Sequence, residues 1–217
     1  GPAPGDASAA ATQLPGFGFG EAVRSGRYWL VMVTFTLIGL VVQSLLQHMF
    51  PMLRARGMSP MLAASGQSLL FIAVTTGRLC TGWLMDRFFA PRVAVSFLLA
   101  PICGIALFLS GATDVAALAA ALLVGLAVGA EIDVLSYIVS RYFGLRSFSR
   151  IYGSFYGVYS MTGGLGPLLV AMTIDRTGNY QFALWLMLGA LLVSCVLLLR
   201  FAPFPRWMSP VGPVQGH

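Results

Sequence analysis

Six long apolar stretches, separated by short loops, constrain this sequence more than any other feature. They cover approximately residues 28–50, 60–85, 93–110, 114–142, 147–174 and 180–201. Each is long enough to cross a hydrocarbon core of about 30 Å, which takes about 20 helical residues. Because only a helix satisfies all backbone hydrogen bonds within one such stretch, the pattern predicts six transmembrane helices.

The composition places the chain in the same class. Of its 217 residues, 58% are hydrophobic and 9% are charged, whereas a soluble domain carries about 25% charged residues. A soluble fold of this size has no interior large enough for so much apolar surface. The sequence therefore predicts an all-α integral membrane protein.

The net charge is +6, and arginine supplies all of the positive charge because the sequence contains no lysine. The arginines are scattered over the loops, which is typical of charges that orient a membrane protein beside an anionic leaflet. This distribution argues against a nucleic-acid partner. The sequence also contains no CxxC, HExxH or GxSxG motif, so it predicts neither an enzyme nor a bound cofactor or metal.

The two sides of the predicted membrane differ in arginine content. Arg54, Arg56 and Arg176 lie on the far side, and Arg78 lies inside a span. The others lie on the side of the N-terminus: Arg24, Arg27, Arg87, Arg92, Arg141, Arg146, Arg150, Arg200 and Arg206. Because arginine-rich loops stay in the cytoplasm, both termini are predicted to be cytoplasmic, in a bacterial inner membrane.

The two ends of the chain differ from the bundle. Residues 1–20 are rich in Gly, Ala and Pro and are predicted to form a flexible linker or tail. Residues 21–202 are predicted to form the six-helix bundle, and residues 203–217 a cytoplasmic C-terminal tail. Within the bundle, Pro51 is expected to end the first helix and Asp114 to cap the fourth.

A charged hairpin separates the second and third apolar stretches. It contains the pair Asp86–Arg87, and a second pair, Asp175–Arg176, follows the fifth stretch 89 residues later. Three helices per repeat would place the two pairs on opposite sides of the membrane. The pattern therefore predicts a 3+3 inverted repeat, which is common among transporters.

The motifs of the chain carry a family resemblance. Residues 82–92 read GWLMDRFFAPR, which resembles the signature loop after the second helix of each six-helix half in the major facilitator superfamily. Phe89 stands where a glycine is usual. Further motifs are similar to the C-terminal half of the monocarboxylate and oxalate/formate branch: GR at 77–78, AEID at 130–133, SRYFG at 140–144, GLGP at 164–167 and DRTGNY at 175–180.

The resemblance covers about residues 20–202 and implies one half of a twelve-helix fold, helices seven to twelve. It implies a secondary active transporter that moves small organic anions, monocarboxylates or dicarboxylates, by alternating access, with H⁺ as a candidate coupling ion. The expected partners are the anion, membrane lipid and a second six-helix bundle, either a separate N-terminal half or a second copy in a homodimer. A membrane binding or scaffold protein without transport is the alternative.

Arg78 is the one arginine placed deep in a span, eight residues before Asp86 and therefore about 12 Å along the helix. A guanidinium at this depth needs a partner or water. The resemblance implies that Arg78 binds the substrate carboxylate, and the planar fork of arginine suits that task. A structural ion pair with the fourth helix is the alternative.

Glu131 and Asp133 are two residues apart in the fourth helix, so they point about 200° apart. One is expected to face the central cavity or Arg78. The other is expected to face the charged hairpin. The predicted gate, which would hold the cytoplasmic ends of the helices together, comprises Asp86, Arg87, Arg92, Glu131, Asp133 and Arg141. A proton-carrying role for Glu131 or Asp133 is the alternative.

Two polar stripes complete the candidate site. Tyr152, Tyr156 and Tyr159 recur at i, i+4 and i+7 in the fifth helix, so they share one face. Gln43 and Gln47 lie one turn apart in the first helix. Both stripes fit either helix packing or the wall of a cavity. The candidate substrate-binding residues among them are Gln43, Gln47, Tyr156 and Tyr159.

Glycines recur in two of the predicted helices. Because glycine has no side chain, these positions are expected to permit close approach of neighbouring helices. In the fourth helix they are Gly125 and Gly129. In the fifth helix they are Gly153, Gly157, Gly163, Gly164 and Gly166.

Overall fold

The described part of the chain is helical throughout. The structure is a computed structural model, and it describes residues 15–85, 87–88 and 90–201. Its helices are α1 Phe19–Arg24, α2 Gly26–Ala55, α3 Pro60–Met85, α4 Ala90–Leu109, α5 Asp114–Phe143, α6 Phe148–Thr177 and α7 Gln181–Leu199. All except α1 are long and apolar enough to cross a membrane. The prediction of six transmembrane helices is therefore confirmed.

The helices form two equivalent triplets in the sequence, α2–α4 and α5–α7, and the main contacts join one triplet to the other. Helix α3 packs along α5, and α6 packs along α2. Likewise α4 packs against α5, and α7 against α2. If each helix is exchanged for its equivalent in the other triplet, the same set of helix contacts results, as an inverted repeat requires. The equivalent helices α2 and α5 are the most buried, and the equivalent helices α3 and α6 are the least buried.

Close packing of α3 against α5 depends on glycine. A side chain at Gly77 would collide with the backbone of Leu126, and one at Gly125 would collide with the backbone of Leu70. Small residues allow the two helix backbones to touch. In lipid, where hydrophobic burial does not drive helices together, such close packing stabilises the helix pair. The expectation for Gly125 and Gly129 is therefore confirmed, and Gly77 joins them.

Two expected helix ends differ from the structure. Pro51 lies inside α2, which continues to Ala55. A proline removes only its own backbone donor, and membrane helices accommodate that loss. Asp114 does not cap α5, because Thr113 is the N-cap residue and Asp114 begins the helix with φ at 48°.

Residues 15–20, predicted as part of a tail, contact the bundle. The amide of Phe17 donates to the carbonyl of Phe143 at 2.9 Å, and the amide of Leu145 donates to the carbonyl of Pro15 at 3.0 Å. The rings of Phe17 and Phe143 also meet edge to face, with centroids 6.3 Å apart. Backbone pairing and an aromatic contact thus hold this segment against the end of α5. Residues 1–14 and 202–217 lie outside the described residues.

Candidate functional site

A group of polar side chains lies on four helices of the bundle. The group includes the one ion pair among the described residues, a buried carboxyl and a row of tyrosines. Helices α2, α3, α5 and α6 contribute to it. Its members are Gln43, Gln47, Arg78, Glu131, Asp133, Tyr152, Tyr156 and Tyr159.

Arg78 on α3 pairs with Asp133 on α5. The Nε atom of Arg78 lies 3.6 Å from Oδ2 of Asp133, and the side chains are 55% and 39% exposed. The pair therefore lies on an open face of the bundle. Gly129 brings the helices together here, because a side chain at this position would collide with the carbonyl of Val74 and the amide of Arg78. Of the two acids predicted to face Arg78, Asp133 is its partner.

Glu131 on α5 points into the bundle and is only 6% exposed. Its Oε1 atom accepts a hydrogen bond from the hydroxyl of Tyr159 on α6. That hydroxyl accepts a hydrogen bond from Nε2 of Gln43 on α2 at 3.2 Å. Among the described residues, Oε2 of Glu131 has no hydrogen-bond partner. A carboxyl buried in a spanning segment is costly, which marks it as a candidate functional group.

The tyrosines of α6 form a ladder of stacked rings. Ring centroids are 5.5 Å apart from Phe148 to Tyr152, 5.9 Å from Tyr152 to Tyr156 and 6.2 Å from Tyr156 to Tyr159. Tyr159, at one end of the ladder, contacts Glu131, so the ladder ends at the buried carboxyl. Tyr156 in the middle is 45% exposed.

The two glutamines of α2 have different surroundings. Gln43 donates to Tyr159, whereas Nε2 of Gln47 donates to the carbonyl of Gly163 at 2.7 Å. The amide nitrogen of Gln47 thus binds the α6 backbone. The structure joins Gln43 to the buried carboxyl network and Gln47 to the contact between α2 and α6.

Gly39 is a member of the site that the sequence reasoning missed. A side chain at Gly39 would lie 2.9 Å from the ring of Tyr159 and 2.7 Å from Oγ1 of Thr162. The absence of that side chain lets the Tyr159 ring reach Glu131. Gly39 lies one turn before Gln43 and shares its helix face, and this spacing is the signal that could have identified it.

The predicted gate residues do not all meet. Glu131, one of the two acids expected to face the hairpin, instead points to Tyr159. The reason is distance, because Glu131 lies ten residues before Arg141 and therefore about 15 Å along α5 from the arginine-rich end. Asp133 is occupied by Arg78 on the open face.

The arginines of the gate contact aromatic side chains. The guanidinium of Arg87 lies 4.2 Å from the ring centroid of Trp83. That of Arg141 donates to the hydroxyl of Tyr137 from Nη2 at 3.0 Å and from Nε at 3.2 Å. The Arg92 side chain is exposed, and Asp86 lies outside the described residues. A gate that includes Asp86 stays a prediction.

One arginine and two acids determine the charge of this face. Arg78 contacts Asp133 through Nε, and an arginine has further N–H donors that suit a carboxylate. Arg78, Asp133 and Glu131 together provide one cation and two acids. The net charge of these three side chains therefore depends on whether Glu131 is protonated. Among the described residues, no group of three His, Cys, Asp or Glu side chains could hold a metal ion.

The fold and this polar face define an integral membrane protein of six spanning helices in an inverted repeat. Its family follows from the sequence: the chain belongs to the Major Facilitator Superfamily, whose family model matches residues 2–167. The resemblance of the hairpin motif to that superfamily is thereby confirmed. No curated protein matches the sequence.

Two solved structures show the same fold. The chain is similar to the E. coli fucose:proton symporter FucP, with 17% sequence identity and a TM-score of 0.68, over 86% of this chain and 46% of FucP. It is also similar to the POT family transporter PepTSo, with 16% identity and a TM-score of 0.66, over 80% of this chain and 36% of PepTSo. The chain thus spans less than half the length of either transporter.

Proposed function

We propose that the chain is one half of a secondary active transporter that moves small organic anions, monocarboxylates or dicarboxylates, by alternating access. Membership of the superfamily supports the transporter class. The exposed guanidinium of Arg78 within the spanning region carries the proposal for an anion. The monocarboxylate and oxalate/formate branch, which the motifs resemble, supports the substrate class.

Arg78 receives the carboxylate of the substrate in this proposal. Its 3.6 Å contact with Asp133 is long for a charge-assisted hydrogen bond. A substrate carboxylate that binds the remaining N–H groups in a two-pronged geometry would therefore compete well with Asp133. Tyr156, exposed on α6, offers a hydroxyl or a ring face to the rest of the anion.

Glu131 couples a proton to the anion in this proposal. When Glu131 is ionised, the polar group contains two carboxylates and one guanidinium, and a substrate anion is repelled. When Glu131 is protonated, Asp133 alone opposes Arg78, and an anion binds more readily. Tyr159 and Gln43 hold the carboxyl in place between three helices. Symport of H⁺ with the anion follows from this charge balance.

A second six-helix bundle completes the transporter. One bundle cannot enclose a site at the middle of the membrane, because alternating access needs two bundles that rock against each other. The partner is either an N-terminal half or a second copy of this chain. Both termini lie in the cytoplasm of a bacterium, with the bundle in the inner membrane.

Anion binding to the Arg78→Lys variant tests the proposed function. Lysine keeps the charge and loses the two-pronged geometry. Loss of a charge-assisted hydrogen bond of about 1.5–3 kcal/mol lowers affinity at least about tenfold. The measurement is binding of formate, lactate, oxalate and succinate to the complete two-bundle assembly, with Arg24→Lys, an exposed arginine outside the predicted gate, as the control.

Wild-type affinity in folded Arg78→Lys would contradict the substrate role and leave the ion pair as the explanation for Arg78. A bundle that binds or scaffolds without transport gives a different result. In that case the wild-type assembly in proteoliposomes takes up none of these anions, with or without a pH gradient.

A further inference from the structure

A groove runs between α6 and α7 on the outer surface of the bundle, with α2 at its base. Its deeper part is a cavity of about 160 Å³ lined by side chains such as Leu40, Val41, Gly166 and Met187. Its outer part is a cavity of about 190 Å³ that ends at Arg176. Leu169 and Thr173 line both cavities, so the two adjoin along α6 and are described together as one groove.

The length of the groove matches one leaflet of a bilayer. Gly166 lines the deep part and Arg176 the outer part, and ten residues separate them on α6. At about 1.5 Å per residue, the groove extends about 15 Å along the helix. Half of a hydrocarbon core of about 30 Å is the same distance. The groove therefore spans one leaflet, with Arg176 at the membrane surface.

The wall of the deep part presents no free polar group. The hydroxyl of Ser44 donates to the carbonyl of Leu40 at 2.6 Å, and that of Thr173 donates to the carbonyl of Leu169 at 2.8 Å. Both hydroxyls are thus satisfied inside their own helices. An apolar chain can occupy this part of the groove without leaving a polar group unpaired.

The outer part carries a positive charge. Arg176 lines it and has no ion pair among the described residues. Its neighbour Asp175 does not line the cavity, because successive residues of a helix point about 100° apart. The first turn of α7, which forms the other wall, contains no acidic residue. The charge of Arg176 is therefore available to an anionic group at the mouth of the groove.

We propose that this groove binds one anionic phospholipid, with its phosphate on Arg176 and an acyl chain along α6 and α7. The apolar length and the terminal cation together match the two parts of such a lipid. This site is separate from the polar face of Arg78 and Glu131 and does not depend on transport. In the proposed orientation the lipid belongs to the outer leaflet.

Native mass spectrometry of the detergent-solubilised chain tests the proposal with two added lipids, phosphatidylglycerol and phosphatidylcholine of identical acyl chains. The wild type should retain the anionic lipid about fivefold more than the zwitterionic one, the effect of one basic residue near an anionic lipid. Arg176→Gln should reduce this ratio to about one. Arg176→Lys should keep it. Arg54→Gln, which removes a cation from the same end, should leave it unchanged.

A groove-filling variant tests the acyl-chain part. Ala190 lines the deep cavity, so Ala190→Phe should lower retention of both lipids, while circular dichroism confirms the helical fold. Ala190→Leu serves the same purpose if the larger substitution prevents folding. No preference in the wild type, an equal loss in Arg54→Gln, or full retention in the folded groove-filling variant would each overturn the proposal. So would a dimer whose formation releases the lipid, because a second copy would then occupy the groove.

Discussion

At the scale of single residues, the buried carboxyl of Glu131 depends on Tyr159. Tyr159→Phe removes the hydrogen bond to Glu131 and leaves the amide of Gln43 without its acceptor. Buried polar groups that lose a partner cost about 1–3 kcal/mol. We expect the variant to lose about that much free energy of unfolding, measured by denaturation in detergent.

Tyr156→Phe is the matched control, because it removes a hydroxyl from the same ladder at an exposed position. Its effect should stay within about 0.5 kcal/mol. Equal stability losses in the two variants would show that the hydrogen bond to Glu131 contributes nothing beyond the loss of a tyrosine hydroxyl from the ladder.

The proposed proton coupling is tested at Glu131 itself. Glu131→Gln keeps an oxygen that accepts from Tyr159, so the fold should remain. The amide cannot exchange a proton, so accumulation of anion driven by a pH gradient should disappear while anion exchange across the membrane continues. The measurement is uptake into proteoliposomes of the complete assembly, with and without the gradient.

Asp114→Asn removes an exposed carboxyl far from the site and serves as the control for that experiment. Gradient-driven accumulation in Glu131→Gln at the level of this control would remove Glu131 from the coupling mechanism.

The sequence predicted which polar side chains lie within the spanning helices, but it did not predict their contacts. The depth of Arg78 and the spacing of Glu131 and Asp133 showed that only one acid could face α3. Which acid does so depends on how α5 is rotated against its neighbours, and no residue pattern reports that rotation. The same holds for Tyr159, because the three tyrosines share one face and tertiary packing selects the one that meets Glu131.

At the scale of helices, the contact of α3 with α5 positions Arg78 against Asp133. Gly129→Ala introduces a methyl group that collides with the α3 backbone at Val74. Overpacking of this kind costs about 1–3 kcal/mol. We expect a lower free energy of unfolding, together with weaker anion binding, because the helices must separate at the ion pair.

Gly157→Ala is the control for helix propensity, since nothing lies within 4 Å of the added methyl group. It should stabilise the helix by about 0.5–1 kcal/mol, the usual difference between alanine and glycine. A stability gain in Gly129→Ala equal to that of Gly157→Ala would contradict the role assigned to the close contact.

The glycines of α6 show what a sequence pattern predicts about helix contacts and what it does not. Gly166 meets the backbone of Leu40 as expected, but Gly153, Gly157, Gly163 and Gly164 have nothing within 4 Å. A glycine in the sequence indicates that a neighbouring helix can approach closely. Whether a helix does so depends on how the helices of the bundle pack together. The open positions lie in a helix that is among the least buried of the bundle.

At the scale of the whole molecule, the bundle has an exposed side, which we propose packs against the second bundle. The equivalent helices α3 and α6 are the least buried, and both contribute to the polar face of the candidate site. The sequence predicted the six helices and the repeat, because apolar length and paired Asp–Arg motifs are local signals. The partner of the exposed side is not encoded in such signals.

The orientation of the bundle is the remaining prediction at this scale, and cysteine labelling measures it. In a variant whose three native cysteines are replaced, Ala55→Cys and Ser149→Cys place single thiols at exposed positions on opposite ends of the bundle. Arginine-rich loops stay in the cytoplasm, and Ser149 lies between Arg146 and Arg150 at the arginine-rich end. A membrane-impermeant maleimide added to intact cells should therefore label Ala55→Cys and leave Ser149→Cys unlabelled until the cells are opened. The reverse pattern would invert the bundle, and it would also move the Arg176 groove to the inner leaflet, where anionic lipid on the cytoplasmic surface would be its source.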